Sequence, residues 1–159
     1  MPGFKRVDHI SLTVPDARKA AQFYCDVFGA TALYELGPFD ARDLPAQEDG
    51  SDWTDAHIDV PDARLEFAVV EMGGLNLEFT QYERPADVRE EAPRNCDPGG
   101  HHIGLEVDDI AMATAYLAEN RVHMLAGPIE IPTEAPSGGM LCRYFADPWG
   151  NQLELIQRT

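Results

Sequence analysis

Two histidines and two glutamates in this chain have the types and the placing that chemistry asks for. His9 lies in VDHISLTV (7–14), Glu78 in LNLEFTQ (75–81), His102 in HHIGLEV (101–107) and Glu154 in NQLELIQ (151–157). Imidazole nitrogens and carboxylate oxygens together make a mixed N/O donor set. With coordination positions left open to water or substrate, such a set suits Mn, Fe, Co, Ni or Zn rather than an ion that prefers oxygen alone. Carboxylates beside such an ion can also carry a proton to and from a bound substrate.

The elements that must position these four side chains are strands. Along 7–14, Ile10, Leu12 and Val14 alternate with His9, Ser11 and Thr13, the period-two pattern of a strand with one buried face. His9 therefore points away from the core. In the same way Glu78 is set off from Leu77 and Phe79, His102 from Ile103 and Leu105, and Glu154 from Leu153 and Leu155. A single strand histidine is ordinarily a structural residue, and a single strand glutamate a solvated one. Four matched positions in two registers are what single these out.

The chain also repeats itself. DHISLTVPD (8–16) returns as HHIGLEVDD (101–109), and one constant offset maps Ile10, Leu12, Val14 and Asp16 onto Ile103, Leu105, Val107 and Asp109. After the first strand, Asp16 is a helix N-cap and Gly29 a helix stop. Ala17, Ala20, Ala21, Tyr24, Val27 and Phe28 recur between them at helical spacing. TALYELG (31–37) reads as a strand, and RLEFAVVE (64–71) and LNLEFTQ as a hairpin about Gly73-Gly74. The second half repeats the order: helix 108–121, a short strand within 122–131, then MLCRYFAD and NQLELIQ as a hairpin around ADPWGN.

Each half is thus expected to be β-α-β-β-β. The expected fold is α+β: two tandem βαβββ modules forming a curved mixed-sheet cleft, one domain over 1–159. Module 1 spans 5–81, a linker 82–99, and module 2 100–158. Residues 38–63 are an insert with no counterpart in module 2, acidic, rich in Pro, Gly and Asp, and carrying Trp53 and His57. Loops of that length are usually lids, binding loops or disordered segments. The linker is expected to be a solvated connector.

Composition narrows the function classes. With 28 acidic against 12 basic residues and a formal charge of −16, the chain repels nucleic-acid backbones and anionic lipid surfaces. The same field draws cations and disfavours strongly anionic substrates, coenzyme A thioesters among them. No apolar run has the length of a membrane span, and MPGFKRVDHI lacks the apolar core of a signal peptide. Cys25, Cys96 and Cys142 are odd in number and widely spaced, so a reducing cytoplasm is expected rather than a disulfide framework.

At this point the sequence resembles the vicinal oxygen chelate superfamily, which includes glyoxalase I, methylmalonyl-CoA epimerase, extradiol dioxygenases, and fosfomycin and bleomycin resistance proteins. The resemblance rests on DHISLTVPDARKAAQFYCDVFGA, NLEFTQYERP, PGGHHIGLEVDDI and YFADPWGNQLELI, and spans nearly the whole chain. It implies a glyoxalase-like fold of paired βαβββ modules, metal ligands at His9, Glu78, His102 and Glu154, and a homodimer. Within the superfamily the chain is most similar to the small epimerases acting on 2-epi-5-epi-valiolone, through YELGPF, the DW and AH of Asp52–His57, GGLNLEFTQY and PRNCDPGGHHIGLEVDDI. It departs from them in a more acidic insert and in HIDVPDARLEF.

The expected activity is that of a divalent-metal-dependent epimerase of a small α-hydroxy ketone, a cyclitol or sugar-like compound. Loss of the proton next to the carbonyl gives an enediolate held by the metal, and reprotonation on the other face inverts the carbon. Glu78 and Glu154, related by the repeat, are the expected acid–base pair. His57 and Asp59 of the insert and Arg143 and Tyr144 of the third strand are the candidate substrate-binding residues. Trp149 in DPWGN is expected to anchor a turn. Glyoxalase I chemistry is the nearest rival, but it needs a cationic grip on glutathione carboxylates that the acidic insert does not advertise. A ring-cleaving dioxygenase would use two His and one carboxylate for Fe(II), which Glu78 would crowd. A non-catalytic binding or resistance protein would not need the His/Glu set.

Overall fold

The computed structural model describes residues 2–89 and 91–159. Met1 and Glu90, the latter inside the expected linker, lie outside the described residues. The chain divides into two compact units, Met1–Val88 and Arg89–Thr159, and each contains one half of the repeat.

In the first unit the order is β1 (His9–Thr13), α1 (Ala17–Phe28), β2 (Thr31–Asp40), a 3-10 turn (Ala41–Asp43), α2 (Trp53–Ile58), β3 (Arg64–Met72) and β4 (Leu75–Arg84). The four strands form one sheet in the order β1-β4-β3-β2, with β1 parallel to β4 and the other pairs antiparallel. Helix α1 starts where the Asp16 carboxylate accepts from the Lys19 amide. It ends at Gly29, whose φ of 70° is left-handed and costs glycine little. Its buried stripe, Ala17, Ala20, Ala21, Tyr24 and Val27, packs on the sheet. The Tyr24 ring meets that of Phe79 with centroids 4.7 Å apart. Leu12, Val14, Val70, Leu77 and Phe79 complete this core, each 3% exposed or less.

The insert carries structure of its own. Strand β2 runs on to Asp40, and Asp52 caps α2 by accepting from the Thr54 and Asp55 amides. Arginines from the neighbouring strands tie the segment down. Arg84 donates to Asp40 at 2.7 Å and Arg64 at 3.2 Å, while Arg42 pairs with Asp62 through two bonds of 2.8 and 2.9 Å. The Arg42 backbone N–H and the two arginine side chains hold the Asp40 carboxyl down at about 2. The Trp53 indole N–H donates to the Asp40 carbonyl, and its ring stands edge-on to Phe39.

The second unit runs β5 (His102–Glu106), α3 (Ile110–Glu119), β6 (His123–Met124), β7 (Ile129–Ile131), β8 (Met140–Ala146) and β9 (Gln152–Arg158). Its five-stranded sheet has the order β5-β9-β8-β6, with β7 also paired to β8. The single short strand expected within 122–131 is thus two pieces, broken around Pro128, which offers no amide to a ladder. Asp109 caps α3 as Asp16 caps α1. The core is smaller here: Ile110, Leu117, Val122, Phe145, Leu153 and Leu155. The β8–β9 turn is knit by buried Asp147, which accepts from the amides of Trp149 and Asn151 and from the Asn151 side chain. Trp149 is half-buried in that turn. The three cysteines are free, and no helix among the described residues is long and apolar enough to cross a membrane.

Candidate functional site

Register decides what the four candidate ligands can do. Strands β1 and β4 pair His9 with Asn76, Ser11 with Glu78 and Thr13 with Thr80. Partners across a ladder share a sheet face, as do alternate residues along a strand. His9, Ser11, Glu78 and Thr80 therefore lie on one face, and Ile10, Leu12, Leu77 and Phe79 on the other, against α1. Strands β5 and β9 repeat this placing: His102 pairs with Gln152 and Gly104 with Glu154. Each unit presents one His and one Glu, diagonally placed on the sheet face turned from its helix.

In the second unit the pair is close. His102 Nε2 and Glu154 Oε2 are 3.4 Å apart, with the side chains 40% and 13% exposed. Tyr144 pairs with Glu154 across β8–β9. Its hydroxyl lies 3.4 Å from His102 Nε2, and the two rings meet edge-on with centroids 5.1 Å apart. Burial pushes the Tyr144 phenol above its ordinary value, and the charge of Glu154 and a hydrogen bond to it add to the shift. The Cys142 thiol, next on the same face of β8, is raised by the same causes. Both stay protonated at neutral pH and so remain donors toward Glu154.

In the first unit the neighbours differ. His9 Nδ1 lies 3.1 Å from the Asp8 carboxylate, which leaves Nε2 available. Thr80 Oγ1 donates to Glu78 Oε1 at 3.4 Å, and Ser11 Oγ lies 2.9 Å from Thr80 Oγ1. Across β3–β4 Glu78 pairs with Val69 and Thr80 with Phe67, and Phe67 continues into Phe39 and Trp53. Glu78 thus borders an aromatic, apolar strip. Burial, and then the Glu78 charge, raise the Tyr82 phenol on the same face.

The remaining candidates separate. Tyr144 joins the His102–Glu154 pair. Arg143 does not: it pairs with Leu155, so it stands on the opposite sheet face, and its Nε donates to the Leu125 carbonyl at 3.1 Å. His57 lies in the last turn of α2, and Asp59 caps that helix in the left-handed region at φ 57°, both exposed. Neither unit adds a third His, Cys, Asp or Glu in metal-holding reach of its own pair, among the described residues. Sequence reasoning missed Ser11, Thr80 and Cys142. Counting in twos from His9 and Glu78 finds Ser11 and Thr80, but Cys142 emerges only from the β8–β9 register. An open hollow of about 780 Å³ lies elsewhere, along the linker by Arg89, Arg94 and Asp97. Arg94 and Asp97 there satisfy each other at 2.7 Å.

The imidazole and carboxylate of each pair are donors of the kind that a borderline divalent ion accepts. Residues 6–155 match the model of the Glyoxalase/Bleomycin resistance protein/Dioxygenase superfamily. The chain belongs to this superfamily. The chain is 39% identical over 159 residues to a 2-epi-5-epi-valiolone epimerase from Actinomyces sp., covering 98% of this chain and 81% of that protein. It is 25% identical to the human mitochondrial methylmalonyl-CoA epimerase over 79% of this chain, and spans 60% of that protein. A glyoxalase family protein from Bacillus cereus has the same fold, with a TM-score of 0.70 at 16% identity, covering 99% of this chain and 97% of that one.

Proposed function

We propose that this superfamily member is a divalent-metal-dependent epimerase of a small cyclic α-hydroxy ketone, with 2-epi-5-epi-valiolone the first compound to try. The observation that carries the reading is the His–Glu pair presented in the same register by both units. The relative that is 39% identical over 98% of the chain bears the name of such an epimerase. The formal charge of −16 favours a neutral polyhydroxy ketone over a coenzyme A thioester.

The residues that would hold the ion are His9 and Glu78 from one unit and His102 and Glu154 from the other. A bound Mn, Fe, Co, Ni or Zn ion would supply Lewis-acid polarisation of the substrate's oxygens, worth several kcal/mol. One carboxylate removes the proton from the carbon next to the carbonyl; the C–H electron pair becomes a C=C bond and the carbonyl π pair moves onto oxygen, giving an enediolate. The other, as a carboxylic acid, delivers a proton to the opposite face of that carbon, which inverts it. Each carboxylate then regains its starting state by exchange with water. Tyr144, held protonated, donates a hydrogen bond beside Glu154, and Val69 and Phe67 stand beside Glu78 and Thr80 on the neighbouring strand. The homodimer implied by the resemblance and a cytoplasmic location are part of this proposal.

The test is the metal-loaded protein with 2-epi-5-epi-valiolone in deuterated water, followed by NMR. Inversion with deuterium at the inverted carbon is the expected result, lost on chelation and restored by added metal. Glu154→Gln is expected to lower it by roughly 10²–10⁴-fold, the usual weight of a positioned acid–base group. Wild-type turnover by Glu154→Gln would remove that residue from the mechanism.

A further inference from the structure

The repeat copies the four candidate ligands but not what holds them. Beside Glu78 stand two hydroxyls, with Ser11 Oγ 2.9 Å from Thr80 Oγ1 and Thr80 Oγ1 3.4 Å from Glu78 Oε1. The positions of Ser11 and Thr80 in the second ladder are taken by Gly104 and Ile156, which have no hydroxyl. A hydroxyl has one proton to give and two lone pairs. For Thr80 to donate to the Glu78 carboxylate it accepts from Ser11, so Ser11 sets the direction of the chain. Thr80 is 5% exposed and paired with Phe67, so water is poorly placed to take over the part of Ser11.

We infer that Thr80, oriented by Ser11, is a positioning residue that aims the Glu78 carboxylate. The inference rests on the two-base epimerase reading and gives the two carboxylates unequal supports. Tyr144 and Cys142 stand beside Glu154 on the neighbouring strand, whereas Glu78 is held by a pair of hydroxyls that the second unit does not have. Removing the Thr80 hydroxyl should therefore impair the part of the reaction that Glu78 carries.

The experiment uses the full-length, metal-loaded protein with 2-epi-5-epi-valiolone in deuterated water, with deuterium incorporation and inversion read separately by NMR. Thr80→Val, nearly the same shape, is expected to lower inversion roughly tenfold, the scale of a lost supporting hydrogen bond. Thr80→Ser, which keeps the hydroxyl, should restore inversion, which a purely structural defect would not do. Wild-type inversion in Thr80→Val, while Glu78→Gln has lost inversion, overturns the inference. Wild-type inversion in Glu78→Gln overturns the two-base reading itself, whatever Thr80→Val does.

Discussion

The first unit surrounds its glutamate with Ser11, Thr80, Val69 and Phe67; the second surrounds its own with Gly104, Ile156, Tyr144 and Cys142. The ladders have the same register, so these are corresponding places. Where the first unit is polar on the side of β1, the second is polar on the side of β8. The difference teaches that duplication fixed the donor atoms, whose placing the ladder enforces, and left their neighbours free to diverge. Two carboxylates that start as copies can then take different parts in a reaction that must treat two faces of one carbon differently.

The comparison can be broken most severely at Tyr144, the residue that touches both candidate ligands of the second unit. Tyr144→Phe is expected to cost roughly 10- to 100-fold in metal affinity or turnover. Metal titration by calorimetry beside the deuterium-exchange rate would show it. An unchanged affinity and rate would mean that the phenol is only packing.

A smaller effect is expected where the second unit lacks the serine of the first. A Cβ at Gly104 would come within 2.9 Å of the Ile156 Cδ1 atom. That atom is the mobile tip of a side chain and Gly104 is exposed, so Gly104→Ser should destabilise by no more than about 1 kcal/mol through crowding. Adding Ile156→Thr, which makes the second ladder match the first, should recover much of that loss in a urea titration. Equal stability of the single and double variants would show that the two positions do not share their space.

The mildest effect concerns the insert, which the second unit does not have. Asp40 is held down to about 2 from an ordinary value of 3.8 by the Arg42 backbone N–H and then by Arg84 and Arg64. A depressed carboxylate stabilises the fold above its unfolded value, and that contribution is lost as pH falls from 3.8 toward 2. Trp53 bonds to the Asp40 carbonyl and Trp149 sits in the other unit, so Trp149→Phe leaves Trp53 as the reporter. Its emission should shift across that window, and Asp40→Asn should flatten the shift. A full shift in Asp40→Asn would assign the acid transition to other carboxylates.

Much was legible because strands alternate. Period two alone directs His9, Glu78, His102 and Glu154 away from the helices, and the Asp16 and Gly29 signals bound α1 where the caps are found. The same count separates Arg143 from Tyr144, since consecutive strand residues stand on opposite faces. Helix α2 was half-legible, for Asp52 before Trp53-Thr54-Asp55 is an N-cap pattern. Its docking was not, because Arg64 and Arg84 reach Asp40 only once β2, β3 and β4 are paired.

By itself, the sequence determined the duplicated unit, the faces of its strands and the four donor residues, because local alternation and capping are properties of neighbours in the chain. Only the tertiary structure decided that Thr80 meets Ser11, that Cys142 and Tyr144 stand over Glu154, and that Arg64 and Arg84 grip Asp40. Those partners are joined by interstrand register, which is set by how whole strands align to bury their apolar faces and not by any short stretch of residues.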